Sequence, residues 1–159
     1  VIMDRANDHT DTSFFGDNYL ESKAVYGAFE AIRLLVKNRF GENVYLISKC
    51  GNNIRRKTLE WLDYHKFFDR TCIKISHIYF CYRRHEKADL CREIGITHFI
   101  DDRLEVLGNL KTVKHLYLFQ PVKKEMERFK DVLQLVQQVD SWNEVLKYLI
   151  PNTYKEDLK

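Results

Sequence analysis

The chain has 159 residues, 45% of them apolar, and 26 Lys and Arg against 23 Asp and Glu give a net charge of +3. That length suits one domain of ordinary size with a real core, and the interspersed charge argues only weakly for a nucleic-acid partner. No run approaches the ~20 apolar residues of a membrane span, and four cysteines without a CxxC pair (Cys50, Cys72, Cys81, Cys91) read as reduced thiols rather than disulfide staples. No signal-peptide pattern is visible, so the expectation is a cytoplasmic protein, although the start at Val1 rather than Met leaves the native N-terminus open.

In chain order, short apolar runs at 1–3, 44–47, 78–81, 98–100 and 116–119 read as strands. Helical periodicity separates them. Ala28, Ile32, Leu35 and Val36 form one apolar stripe, Ile54, Thr58, Trp61 and Leu62 another, and shorter helices are predicted over 84–93 and 104–110. A βαβα alternation of this kind predicts a parallel sheet covered by helices on both faces, with right-handed crossovers. After Pro121 the pattern predicts helix to the end: Val132, Leu135, Val136 and Val139 share one stripe, and Trp142, Val145, Leu146 and Leu149 share another. Ser141 and Glu144 have the spacing of a capping box for the last helix. The division is thus a single domain over 1–150 and a polar tail over 151–159, with one long aperiodic loop at 5–23.

Open parallel sheets bind ligands at the carboxyl ends of their strands. The residues leaving the predicted strands are Asp4 after the first, Ser48 after "VYLI", and Asp101 with Asp102 after "THFI"; Lys87 opens an intervening helix. Acids gathered on one edge repel each other unless a cation or a shared proton compensates. A hard divalent ion is the natural neutraliser, and Mg²⁺ commonly takes one or two carboxylates together with phosphate and water. The rim therefore reads as a place for a metal and a phosphate.

"VIMD" with downstream threonines, "VYLIS", Lys87 and "FIDDR", in this order and at these strand ends, resemble the four motifs of the haloacid dehalogenase (HAD) superfamily of phosphohydrolases, over residues 1–119. The "IDDR" end and the "SW" opening the last helix are also similar to the capless members near the cytosolic deoxyribonucleotidases. The resemblance implies a three-layer α/β/α Rossmann-like fold with a central parallel sheet. It implies Asp4 as the nucleophile that forms an aspartyl phosphate. It further implies Ser48 and Lys87 as phosphate-binding groups, Lys87 also offsetting charge in catalysis. The implied metal is Mg²⁺, held by Asp4, Asp101 and Asp102 and by the backbone carbonyl of Ala6.

One position departs from that pattern. The phosphatases of the superfamily carry a general acid–base aspartate two residues after the nucleophile, and here that residue is Ala6. Loss of such a group is worth on the order of 10² to 10⁴ in rate. Three readings stay open: Asp8 or Asp11 of "NDHTDT" takes the acid role; the same nucleophile runs other chemistry, as in phosphonatases and dehalogenases; or the chain is a catalytically impaired phosphate-binding or protein-interaction module. The loop at 5–23 is too short for a helical cap, and 50–87 holds little more than a helix and a strand, so no large cap domain and an open site are expected. An open site suits a phosphorylated small molecule or macromolecule, with Phe14, Phe15 and Tyr19 as a small flap and Arg83 and Arg84 of "YRRHEK" favouring anions. Nucleic acid ranks last among such partners, and the oligomeric state is not legible.

Each assignment has a plainer rival. Taken alone, Asp4 reads as a turn residue, and the ordered Ser48, Lys87 and Asp101 are what favour the nucleophile; Asp102 reads also as the cap of a helix starting at Arg103, and Ser48 as a strand-end hydroxyl. The arginine pair reads as a solvated face, the Phe pair as core packing, and Cys50 as a structural thiol.

Overall fold

The computed structural model describes residues 1–4 and 16–152. Helix α1 (Ala28–Leu35) continues into a π-helical turn, Val36–Phe40, and leads to β1 (Leu46–Lys49). Then follow α2 (Asn52–Tyr64), α3 (Phe67–Thr71), β2 (Ile78–Cys81), α4 (Glu86–Ile94), β3 (His98–Asp101), α5 (Leu104–Asn109) and β4 (His115–Phe119). The chain closes with α6 (Lys123–Arg128), α7 (Lys130–Leu133), β5 (Gln137–Val139) and α8 (Trp142–Leu149). The fold is mixed α/β with two small parallel sheets, β1–β2 and β3–β4–β5.

Four of the five expected strands take their places in these sheets; the first does not. Residues 1–4 run antiparallel to 23–25, with a bridge between Met3 and Ala24, the Asp4 amide donating to the Lys23 carbonyl at 2.8 Å and the Val25 amide to the Ile2 carbonyl at 2.7 Å. These bonds use the Ile2 carbonyl and the Asp4 amide, so the segment pairs with 23–25 and with none of β1 to β5. The second correction lies at the other end. Val139, expected on a helical stripe, closes β5, whose backbone pairs with Tyr117, Leu118 and Phe119. Its spacing satisfies a helix as well as a strand, and pairing with β4 decides between them. Helix α3 is an addition: it lies between Lys66 and Cys72, both at positive φ, where no glycine marks the boundary.

The strands sort their side chains between two apolar clusters, as alternation along a strand requires. Tyr117 and Phe119 of β4 join the larger cluster, built on Ala28, Phe29, Ile32, Trp61, Val145 and Leu149, while Leu118 joins the smaller one with Cys91, Leu104, Leu107 and Leu110. The other strands divide in the same way: Leu46 and Ile100 pack on the first cluster, Ile47 and Phe99 on the second. Both sheets therefore present the same two faces to the same two cores.

They also run in the same direction. Lys87, at the start of the helix after β2, reaches Asp101 at the end of β3. Phe40, just ahead of β1, sets its ring edge-on to His98 at the start of β3, with centroids 5.2 Å apart. Strand ends thus gather on one side of the molecule and strand starts on the other. Between β1 and β3 no hydrogen-bonded ladder joins the sheets, and a cavity of about 790 Å³ is lined by both strands.

The ends of the described chain are tied together. Trp142 of α8 donates its indole N–H to the Val1 carbonyl at 3.0 Å. Helix α8 starts as its capping-box spacing predicts, Ser141 Oγ accepting the Glu144 amide at 3.3 Å, but the Glu144 carboxylate returns to the Asp140 amide rather than to that of Ser141. Among the described residues no helix is long and apolar enough to cross a membrane.

Candidate functional site

The site is built where β1, β3 and the start of α4 meet the cavity. The turn after β2 is shaped by Glu86, whose Oε2 accepts the amides of Tyr82 at 2.8 Å and Arg83 at 3.1 Å. This carboxylate occupies a helix start, where the dipole favours a negative charge, and those two bonds hold it below the usual range. Sequence reasoning missed Glu86. Its signal was an acid three and four residues beyond two amides that the turn leaves without ladder partners.

Fixing that turn aims Lys87 inward. Its Nζ donates to Asp101 Oδ2 at 2.8 Å, and the two side chains are only 10% and 8% exposed. The other oxygen, Oδ1, accepts the Arg103 amide at 3.0 Å. The ammonium also stands over the Phe99 ring, 5.7 Å from its centroid. Burial pushes the Asp101 carboxyl upward; Lys87 pulls it down and Asp102 adds to the rise, with burial prevailing. Beneath the pair, burial pushes the Cys91 thiol up to about 11, so it is a core group rather than a nucleophile.

Of the residues singled out from the sequence, Ser48, Lys87, Asp101 and Asp102 all line the one cavity, together with Arg84 and Cys50. Asp102 is half-buried and does not cap α5, whose first turn has no side-chain cap; Asp101 takes the Arg103 amide instead. Arg84 is tied to Glu105 by an exposed ion pair. Burial raises the Cys50 thiol, as befits a structural cysteine, and all four cysteines are free.

Asp4 stands apart. It is exposed, its amide is committed to Lys23, and it is not among the cavity-lining residues, although Val1, Ile2 and Met3 are. Ala6, Asp8, Asp11, Phe14 and Phe15 lie outside the described residues. Tyr19 packs on α2: its hydroxyl donates to Glu60, and Lys57 stands 4.9 Å from its ring centroid while donating to the Gly16 carbonyl at 2.7 Å. The segment 16–22 is thereby anchored on α2. Between β1 and α4 the described chain holds α2, α3, a short 3₁₀ turn and β2.

Does the donor set suit Mg²⁺? Among the described residues no three His, Cys, Asp or Glu side chains are grouped to hold a metal ion. Two adjacent carboxylates are present, and an ionised carboxylate has about four acceptor positions, of which Asp101 uses two. Hard oxygen donors in that number fit an ion that keeps most of its waters. Comparison of the chain with protein-family models, with curated proteins and with solved structures gave no match.

Proposed function

We propose that the chain is a HAD-type phosphohydrolase, a three-layer α/β/α domain over 1–150 that cleaves a phosphate ester with Mg²⁺ in the cavity at its strand ends. The observation that carries this reading is the buried Lys87–Asp101 pair facing a cavity that Ser48 and Asp102 also line. Buried ion pairs contribute little net stability. A buried cation and anion at the carboxyl ends of parallel strands are better explained by a ligand that carries both charges, such as a phosphate with its metal.

In this reading the Lys87 ammonium and the Ser48 hydroxyl hold the phosphoryl oxygens, and Asp101 with Asp102 holds the metal. Mg²⁺, when bound, supplies positive charge against the phosphoryl oxygens. Asp4 is the proposed nucleophile, its support being that the three residues before it border the cavity. Asp8 is the proposed acid in place of Ala6, whose backbone carbonyl remains a proposed metal contact. The substrate is a phosphorylated small molecule or macromolecule able to enter an open site. Four free thiols support a reducing, cytoplasmic setting.

A second reading has its own observation. Asp4 is exposed and held at the antiparallel 23–25 segment, which favours a module that binds phosphate and turns over slowly.

Hydrolysis of an aryl phosphate with and without Mg²⁺, on wild type, Asp4→Asn and Asp101→Asn, separates the two. Metal-dependent turnover lost in both variants supports the enzyme with Asp4 as nucleophile. Turnover lost only in Asp101→Asn keeps the site and removes Asp4 from it. Negligible turnover in all three, with inorganic phosphate still bound by the wild type in a Lys87-dependent way, supports the binding module.

A further inference from the structure

We infer that the cavity between β1 and β3 is a receiving slot for one more β-strand, running parallel to both, formed by an extended apolar segment that is not among these 159 residues. Each facing edge already has a partner on its far side: β1 pairs with β2, and β3 with β4. Inner strands of parallel sheets bond on both edges, and an unsatisfied edge is a template for another chain. Here two such edges face the same 790 Å³ cavity, and the strand ends gather on one side. A single strand inserted in the same direction serves both.

The side chains agree with the backbone. Leu46 and Ile100 turn to the larger apolar cluster, Ile47 and Phe99 to the smaller one. The two sheets are therefore halves of one surface, and a strand between them must also alternate between two apolar cores. Such a strand is apolar at every position, rich in Val and Ile, rather than alternating apolar with polar. Four residues match the lengths of β1 and β3, and the residue after them emerges beside Ser48 and the Lys87–Asp101 pair.

No segment of this chain fits that description and remains to fill the slot. Residues 1–3 border the cavity but pack against the larger cluster; Met3 bridges Ala24, the Ile2 carbonyl accepts the Val25 amide and the Val1 carbonyl accepts the Trp142 indole N–H. The stretches 5–15 and 153–159, "RANDHTDTSFF" and "TYKEDLK", contain no run of branched apolar residues. The occupant is thus an apolar strand supplied by another stretch of polypeptide, recognised by β-augmentation. This inference does not depend on the phosphohydrolase reading, because docking a strand requires no chemistry at the strand ends.

The test uses a fluorescein-labelled peptide, Lys-Lys-Val-Ile-Val-Val-Asp-Gly, and a second peptide N-methylated at the isoleucine and at the valine that follows it, which keeps the side chains and removes one donor from each edge. Saturable binding by fluorescence anisotropy is expected, about tenfold or more weaker for the N-methylated peptide, since each ~1.4 kcal/mol of lost bonding is a factor of ten. Amide hydrogen exchange should slow in β1 and β3 together. Absence of saturable binding overturns the inference, and so does equal affinity for the two peptides, which marks a general apolar pocket. Protection of both edges by self-association at rising protein concentration, without peptide, also overturns it in favour of a second copy.

Discussion

Replacing Lys87 by Met tests whether the buried pair is there for stability. At the observed 2.8 Å the attraction is about 6 kcal/mol at an effective dielectric of about 20. Desolvation costs several kcal/mol for each ion, so the net contribution of the pair is near zero. Removing one partner is different, because Asp101 then stays buried and unpaired apart from the Arg103 amide. Lys87→Met should therefore cost about 3 to 5 kcal/mol at pH 7, whereas Lys87→Met with Asp101→Leu should return to within about 1 kcal/mol of the wild type. The deficit should also depend on pH. Without Lys87 the folded-state carboxyl is raised further, so the single variant recovers as pH falls and the carboxyl protonates, and loses stability again as pH rises through the folded value. Urea denaturation of all four corners of the cycle at pH 5 and 7 measures this. A single variant within about 1 kcal/mol of wild type at pH 7, or a double variant as unstable as the sum of its parts, would refute the reasoning.

Trp61 is fully buried, sits edge-on to Phe29 and donates to the Ser22 carbonyl at 2.8 Å; Trp61→Phe should cost about 2 kcal/mol in chemical denaturation and loosen 16–22 to proteolysis, while retained protection would remove its anchoring role. His98 is held down to about 4 by burial first, then by His115 and Arg39. Its neutral form is the folded one, so stability present above the ordinary value of 6.5 is lost as pH falls from there to about 4. His98→Gln should flatten that slope by about 1 to 2 kcal/mol after allowance for solvent screening, read from denaturation midpoints across the window. A methyl group added at Gly108 would meet Val132 Cγ2 at 2.8 Å; Gly108→Ala should therefore lose about 1 to 3 kcal/mol by overpacking despite a gain of about 1 kcal/mol in helix propensity, and Val132→Ala should relieve it.

Strands β1 to β4 were legible because each is a short apolar run between turn signals, and burial on both faces is what such runs record. Residues 137–139 were not, because a three-residue strand carries too few side chains to break the tie with a helical stripe. Lys66 and Cys72 hid α3 by taking positive φ without glycine. At the site, Ser48, Lys87, Asp101 and Asp102 were found because their position depends only on the strand or helix next to them. Asp4 shows the limit of that logic: an apolar run ending in Asp specifies a strand, but which neighbour the strand chooses is a tertiary matter. Here the neighbour is 23–25, and the cavity lining includes Val1, Ile2 and Met3 but not Asp4.

In the proposed function the pair also couples the two ligands. In the free protein Lys87 and Asp101 neutralise each other, so phosphate must draw the ammonium from the carboxylate, and a cation must draw the carboxylate from the ammonium. Either ligand alone strands a buried charge, whereas both together leave each group paired. Binding of inorganic phosphate should therefore tighten with Mg²⁺, and by linkage Mg²⁺ should tighten equally with phosphate, within the usual coupling range of about 5- to 150-fold. In Lys87→Met phosphate has no ammonium to draw away and the carboxylate keeps only the Arg103 amide, so the mutual enhancement should fall toward unity. Calorimetric titration of each ligand with and without the other measures the coupling. Independent binding in the wild type would show that the pair is a packing feature of the strand ends and not part of a shared site.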